Sequence, residues 1–421
     1  MIFQTSKDLN EILSQEQKQY KKFKKANYVV DIARGKPCKE QLDSVMGFFT
    51  ELNDEKLQQI NPYRNYGMPQ GIQELRDLFA PILGVKASQI IVGGNSSLNL
   101  MYDAIQRAMQ FGVLGMEPWN KQGVIKFLCP SPGYDRHFAI TEHLGIEMIT
   151  VPMTKSGPDM DIIEQLVLND ESIKGIWCVP KYSNPTGITY TDAVVTRLAK
   201  MKTAAKDFRI FWDNAYVVHD LVADGDKLLN IMEKCNEFAN DDRVYIFSST
   251  SKITFPGAGV SFFASSEANV NEALKHMSFQ TIGFNKVNQM MHYLFIKDAD
   301  NLKKIMARHA EIIKPKFDKI LNKLEESFGL NSDIAQWTKP NGGYFISLNV
   351  LEGCATEVFK LCKEAGLTLT NVGATFPYSN DPMNRNLRIA PTFIKTEDLD
   401  IACDILINCI KIACIKKLLQ K

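Results

Sequence analysis

A chain of 421 residues, 45% of them hydrophobic, can bury a core large enough for two domains or for one large domain with a smaller lobe. Lys plus Arg (49) nearly cancels Asp plus Glu (48), a balance that offers neither nucleic acid nor an anionic membrane a surface to bind and leaves small molecules as the expected partners. No stretch reaches the ~18 uninterrupted apolar residues of a membrane span, the N-terminus lacks the charged head and apolar run of a signal peptide, and the cysteines sit singly without a C-x-x-C pair, so a cytoplasmic protein with reduced, buried thiols is expected.

Residues 1–25 read as a charged amphipathic helix, with Leu9, Ile12 and Leu13 on one face and Lys18, Lys21, Lys22, Lys24 and Lys25 closing it. VVDIARGKP follows as a short strand that breaks at Arg34-Gly35-Lys36-Pro37. The loop NPYRNYGMPQG carries Tyr63, Arg64 and Tyr66 ahead of a helix that starts near Ile72, and aromatic and cationic side chains on a loop mark a candidate site or interface. From there to about residue 265 strands and helices alternate, the pattern of an α/β sheet with helices on its faces. The strands read as Gln89–Val92, Val124–Leu128, Glu147–Val151, Gly175–Val179, Arg209–Trp212, Val244–Phe247 and Gly259–Ala264. Beyond residue 290 a long charged helical stretch leads to strands at Gly343–Leu348 and Leu387–Ile389 and helices at Ala355–Ala365 and Leu399–Leu419. The expected organisation is an N-terminal arm with part of a small domain over 1–48, a large domain with a mostly parallel seven-stranded sheet over 49–290, and a smaller α+β domain over 291–421. The six histidines show no HExxH spacing or Cys/His cluster, so no metal is expected, and His137 and His143 read as a solvated helix face.

Five of the expected strands end in polar or glycine-rich loops: GGNSS (Gly93, Gly94, Asn95, Ser96, Ser97), SPGYD, YSNPTG, DNAY and SSTSK. Ligands bind outside the carboxyl ends of parallel strands, so these loops should converge on one crevice. GGNSS runs from a strand into a helix, where free N–H groups and the Ser96 and Ser97 hydroxyls suit a phosphate. Asp213 closes an apolar run and needs a cationic or protonated partner, such as a pyridinium N–H. Tyr216 can bond a phenolate oxygen, Tyr134 offers a ring face to a flat cofactor, and Ser249 is a second phosphate donor. Lys252 stands where the run Val-Tyr-Ile-Phe meets that polar loop, and a primary amine in a desolvated pocket has a lowered pKa and condenses with aldehydes.

With Asn184-Pro185-Thr186-Gly187, Asp213-x-Ala215-Tyr216, Ser249-x-x-Lys252 and Arg388 in NLRIAP, the chain resembles a fold-type I pyridoxal-phosphate enzyme of the aspartate aminotransferase family over roughly residues 30–395. Tyr66, Gly35, Tyr134 and Gly342-Gly343-Tyr344-Phe345 support the match, and ARGKP, RNYG, STSKITFPGAGVSFF and PTF are similar to a bacterial branch of it. The resemblance implies that Lys252 carries pyridoxal phosphate covalently and shuttles the proton, that Asp213 pairs with the pyridine nitrogen, and that Asn184 and Tyr216 bond the ring oxygen. It further implies Asn95, Ser96, Ser97 and Ser249 at the phosphate, Tyr134 stacked, Gly35 and Arg388 at the substrate with Arg388 on its α-carboxylate, and a candidate cis peptide at Asn184–Pro185. A homodimer with shared sites follows, because the family places the loop bearing Tyr66 in the neighbour's site.

One departure is plain: the family's usual arginine eight positions after the lysine, a phosphate ligand, is Val260 here. Lys286, in the expected loop IGFNKVNQ, is a substitute for it in its own or the partner's site, or else a reader of the substrate's distal carboxylate. The activity implied is ping-pong transamination of an amino acid, aspartate foremost, with 2-oxoglutarate; alanine or aromatic substrates, or β-decarboxylation and elimination, use the same residues. A ligand-sensing regulator would need a DNA-binding domain that the ~25 residues before the first motif cannot form.

Overall fold

The computed structural model describes residues 6–59 and 61–420. Its large sheet holds β1 (Ile90–Val92), β2 (Lys126–Ser131), β3 (Glu147–Thr154), β4 (Gly157–Pro158), β5 (Ile173–Cys178), β6 (Arg209–Asp213), β7 (Val244–Ser249) and β8 (Ser261–Ala264), in the spatial order β1-β8-β7-β6-β5-β2-β3-β4. β5, β6 and β7 are buried at every residue, as strands covered on both faces must be. Their side chains alternate. Ile176, Ile210, Trp212 and Ile246 enter the core on one face, and Trp177, Phe211, Tyr245 and Phe247 the core on the other. β2, β3, β5, β6 and β7 pair in parallel, whereas β8 is antiparallel to both β7 and β1. All seven expected strands are present, and the two-residue β4, antiparallel to β3, makes an eighth at the edge.

The smaller sheet is antiparallel, with β9 (Ala335–Trp337), β10 (Ile346–Val350) and β11 (Asn386–Ile389). The strand expected from Gly343 begins only at Ile346, because Gly342 and Gly343 run against Tyr182: a Cβ on Gly342 would lie 2.1 Å from that ring, and Gly343 has φ +79°. The helix Leu399–Leu418 is buried along most of its length beneath this sheet. Ser6–Ala26 packs on it through Lys411 to Glu16 (3.0 Å) and Asn408 to Glu16 (2.6 Å); residues 1–5 of the expected helix lie outside the described residues. Val30–Asp31 then pairs in parallel with Leu367–Thr368 as a separate two-stranded sheet, which ties the N-terminal arm to the C-terminal part of the chain. The 30-residue helix Ala299–Phe328 joins the two cores, burying Leu302 and Met306 with the large sheet and Ile313, Phe317 and Ile320 with the small one. All nine cysteines are buried and free, and no helix among the described residues is long and apolar enough to cross a membrane.

His219, His292 and His309 are buried where this helix and its neighbours meet the loop after β7. Burial pulls His292 down to about 4 against the opposing Asn288 carbonyl, and His309 to about 4 against the Lys252 and Gln41 main chain. His219 is driven well below its ordinary value by burial and then by the charge of Lys252. A base whose folded pKa is depressed binds fewer protons folded than unfolded, so stability is whole above pH 6.5 and is lost as the pH falls toward 4. Each histidine contributes a slope of about 1.4 kcal/mol per pH unit in that window. Urea unfolding of His292→Gln across it is expected to show a shallower slope than wild type, and equal slopes would contradict this account.

Candidate active site

β1, β2, β5, β6 and β7 run the same way, and the five loops at their carboxyl ends meet around one cavity of about 220 Å³. The loop after β1 delivers Ser96 and Ser97 to it at the start of the helix Ser97–Phe111. Tyr134 follows β2, Asn184 follows β5, Asp213 and Tyr216 end and follow β6, and Ser249 and Lys252 end and follow β7. Gly35 and Phe345 close the cavity from the smaller sheet's side; a Cβ on Gly35 would stand 2.1 Å from the Phe345 ring. The Asn184–Pro185 peptide is cis.

Lys252 Nζ lies 5.0 Å from the Tyr216 ring centroid and 5.8 Å from that of Tyr344. Burial pulls its ammonium below the usual lysine value, and the nearby charge of Asp213 partly restores it. The Tyr216 hydroxyl is held well above its ordinary pKa, by burial first and then by Tyr134 and Asp213.

Asp213 is 3% exposed, and His137 Nε2 stands 3.0 Å from its Oδ2. Its Oδ1 is buried without a hydrogen-bond partner among the described residues. The His137 expectation is therefore overturned: the ring is 1% exposed, stacked flat on Trp177 at 4.2 Å, while His143 alone faces solvent. Trp177 donates to Thr141 (2.8 Å), which donates to the His137 carbonyl (2.7 Å), so the stacking partner is tied to the helix that carries the ring, and Tyr134 meets the ring edge-on at 4.9 Å. His137→Phe keeps the stack and leaves Asp213 Oδ2 unpaired as well. It is expected to cost about 1–3 kcal/mol of unfolding free energy in urea, and a variant as stable as wild type would show that this contact holds nothing.

Arg388, on β11, reaches across from the smaller sheet. Its Nη1 donates to Asp135 Oδ1 (2.7 Å) and to Asn184 Oδ1 (3.4 Å), its Nε to Thr370 Oγ1 (3.3 Å), and its guanidinium lies 5.0 Å from the Phe345 ring centroid. The helix Asp135–His143 thus sends its first residue toward Arg388 and its third toward Asp213. Sequence reasoning gives neither Asp135 nor His137 a role of its own in the site: it places Asp135 only within the converging loop SPGYD and takes His137 for a solvated helix face, although the run Tyr134-Asp135-Arg136-His137 directly after a strand end is the signal that marks them. Ser251 was missed too: it lines the cavity, accepts from Ser249 (3.1 Å) and donates to the Asn95 carbonyl (3.3 Å).

Four expected residues do not line the cavity: Arg388, which meets its wall at Asn184 and Phe345, and Asn95, Tyr66 and Lys286. Asn95 is exposed, with its side chain turned to the Pro256 carbonyl (3.3 Å). Tyr66 is 82% exposed and, with Arg64 and Lys286, lines a separate groove of about 490 Å³. Lys286 is no loop lysine: it opens the helix Lys286–Ile296, is 6% exposed, and its Nζ donates to the Gly67 carbonyl at 2.9 Å. Val260 offers the cavity nothing. Its side chain is 1% exposed in the large core, while its main chain closes the turn on Thr250 (2.9 and 3.0 Å), whose hydroxyl meets His292 (3.1 Å).

Residues 4–421 match the family described as aspartate amino-transferase. A relative from Mycolicibacterium smegmatis is 46% identical over 96% of this chain and 95% of its own. An aspartate aminotransferase of Corynebacterium glutamicum is 44% identical over 94% of this chain and 92% of its own. The crystal structure of an aspartate transaminase from Corynebacterium glutamicum superposes with a TM-score of 0.95 at 41% identity, covering 99% of this chain and 98% of that one. A likeness that runs the whole chain, and that meets a buried lysine beside a half-paired buried aspartate, has one consequence: the chain belongs to the aspartate amino-transferase family, and it is a transaminase.

Proposed function

We propose that this transaminase uses pyridoxal phosphate and moves the amino group of a dicarboxylic amino acid, aspartate foremost, to 2-oxoglutarate, the two substrates alternating at the cavity around Lys252. The observation that carries the reading is Asp213 Oδ1, a buried carboxylate oxygen with no partner, in the same cavity as a buried lysine. Such an oxygen is costly unless a donor meets it, and the N–H of a protonated pyridine is the donor it fits. The surrounding residues fit the rest of the cofactor. Ser96, Ser97, Ser249 and Ser251 bring hydroxyls to the start of a fifteen-residue helix, whose free N–H groups and dipole favour a phosphate without the arginine that Val260 replaces. Tyr134 offers its ring face, and Asn184 and Tyr216 stand ready for a ring oxygen.

Pyridoxal phosphate, when bound, supplies an electron sink for the pair left at the substrate Cα. Lys252 Nζ is the base that takes the Cα proton, and burial, which disfavours its ammonium, favours the neutral amine that this role requires. Asp213, oriented by His137, keeps a positive charge on its ligand's nitrogen. Arg388 grips the substrate α-carboxylate with a planar fork that a lysine does not match.

The aspartate preference is supported by relatives named for aspartate at 44% and 41% identity. Half-reaction absorbance changes with aspartate, glutamate, alanine and phenylalanine test it: aspartate and glutamate are expected to lead, and equal rates with alanine and aspartate would remove the dicarboxylate preference. Tyr66 (82% exposed), with Phe279 (88%) and Ile282 (64%) on the loop before Lys286, supports a homodimer in which a second copy covers these side chains and receives Tyr66. Lys286 then serves the partner's site or holds the Tyr66 loop. Light scattering of the active enzyme is expected to give the mass of two chains, and a single-chain mass would contradict the shared site.

A further inference from the structure

Arg388 already holds a carboxylate before any substrate arrives. Both hydrogens of Nη1 are engaged, one by Asp135 at 2.7 Å and one by Asn184 at 3.4 Å, and Nε is engaged by Thr370 at 3.3 Å. A carboxylate gripped bidentately needs two adjacent N–H groups, so it must take one of these places. The Arg388 side chain is 9% exposed and lies over Phe345, whereas that of Asp135 is 31% exposed, reaches solvent and stands at the first position of its helix. Of the three partners Asp135 alone is anionic, and two carboxylates cannot share one Nη1 without repulsion.

We propose that Asp135 is an internal carboxylate seated on Arg388 with which every substrate carboxylate exchanges, which makes Asp135 the residue that sets how tightly the site holds amino and 2-oxo acids. The inference rests on Arg388 being the α-carboxylate's partner. Asp135 lowers the affinity for donor, acceptor and both products alike. Its effect falls on KM and on product release and is indifferent to the substrate side chain.

The test uses the cofactor-loaded enzyme, with succinate as an unreactive carboxylate probe and its neutral dimethyl ester as control, both followed by calorimetry. Asp135→Asn keeps the shape and the helix start and removes the charge. It is expected to bind succinate about tenfold more tightly, the worth of one charge-assisted hydrogen bond. KM for aspartate and for 2-oxoglutarate should fall by a similar factor without a rise in kcat, and the ester should not respond. Asp135→Ser, which shares only the loss of charge, is expected to move succinate affinity in the same direction. Unchanged or weaker succinate binding in both variants would overturn the inference, leaving Asp135 a residue that merely holds Arg388 in place. Arg388→Lys separates the two levels. Succinate binding lost in Arg388→Lys but not gained in the Asp135 variants overturns this inference alone; succinate binding unaffected by Arg388→Lys overturns the assignment of Arg388 beneath it.

Discussion

Replacing Lys252 by alanine is expected to lower kcat for transamination by at least about 10⁴-fold, because in the proposed mechanism one side chain carries both the covalent link and the proton. The lysine is enclosed by Tyr216 and Tyr344, whose ring centroids lie 5.0 and 5.8 Å away and whose hydroxyls are raised above the ordinary tyrosine value by burial. The variant should still take up pyridoxal phosphate through Asp213 and the serine loops, so activity and cofactor content separate. Steady-state rates beside a cofactor titration check this, and full activity in Lys252→Ala would end the mechanism.

Asp213→Asn has the second largest expected effect, about 10²–10³ in kcat, comparable to losing one electrostatic partner of a developing charge. Asparagine fills the same space and can still meet His137, so the fold is retained while the anion opposite the ligand's nitrogen is gone. The loss should appear in kcat for every amino acid tested, since the proposed contact is to the cofactor and not to the substrate side chain. A decrease below tenfold, or one confined to dicarboxylates, would place Asp213 outside the electron-sink role.

What was legible in the sequence was what local pattern determines. β5, β6 and β7 read as strands because burial on both faces makes them continuous apolar runs, and their polar ends pointed to one crevice because parallel strands share a carboxyl edge. What was illegible depends on partners far along the chain. His137 meets Asp213 76 residues away and Asp135 meets Arg388 253 residues away, so neither pairing leaves a trace in spacing. Lys286 looked like a loop cation because IGFNK lacks an apolar period; the helix it opens is capped by Asn285, and its ammonium is spent on the Gly67 carbonyl. Val260 stands where the family's usual arginine would, but its place in the large core shows that the backbone at this position directs the side chain away from the cavity. Glycine misled once, at Gly342 and Gly343, where close approach to Tyr182 and not strand geometry fixes the chain.

The central claim is that Lys252 is the residue that bonds the cofactor. Reduction of the purified, cofactor-loaded protein with borohydride, followed by digestion and peptide mass spectrometry, tests it directly. One modified peptide is expected, with SSTSKITFPGAGV within its sequence, carrying the 5′-phosphopyridoxyl mass on Lys252 and none elsewhere. A chain left unmodified, or modified on another lysine such as Lys286, would contradict it.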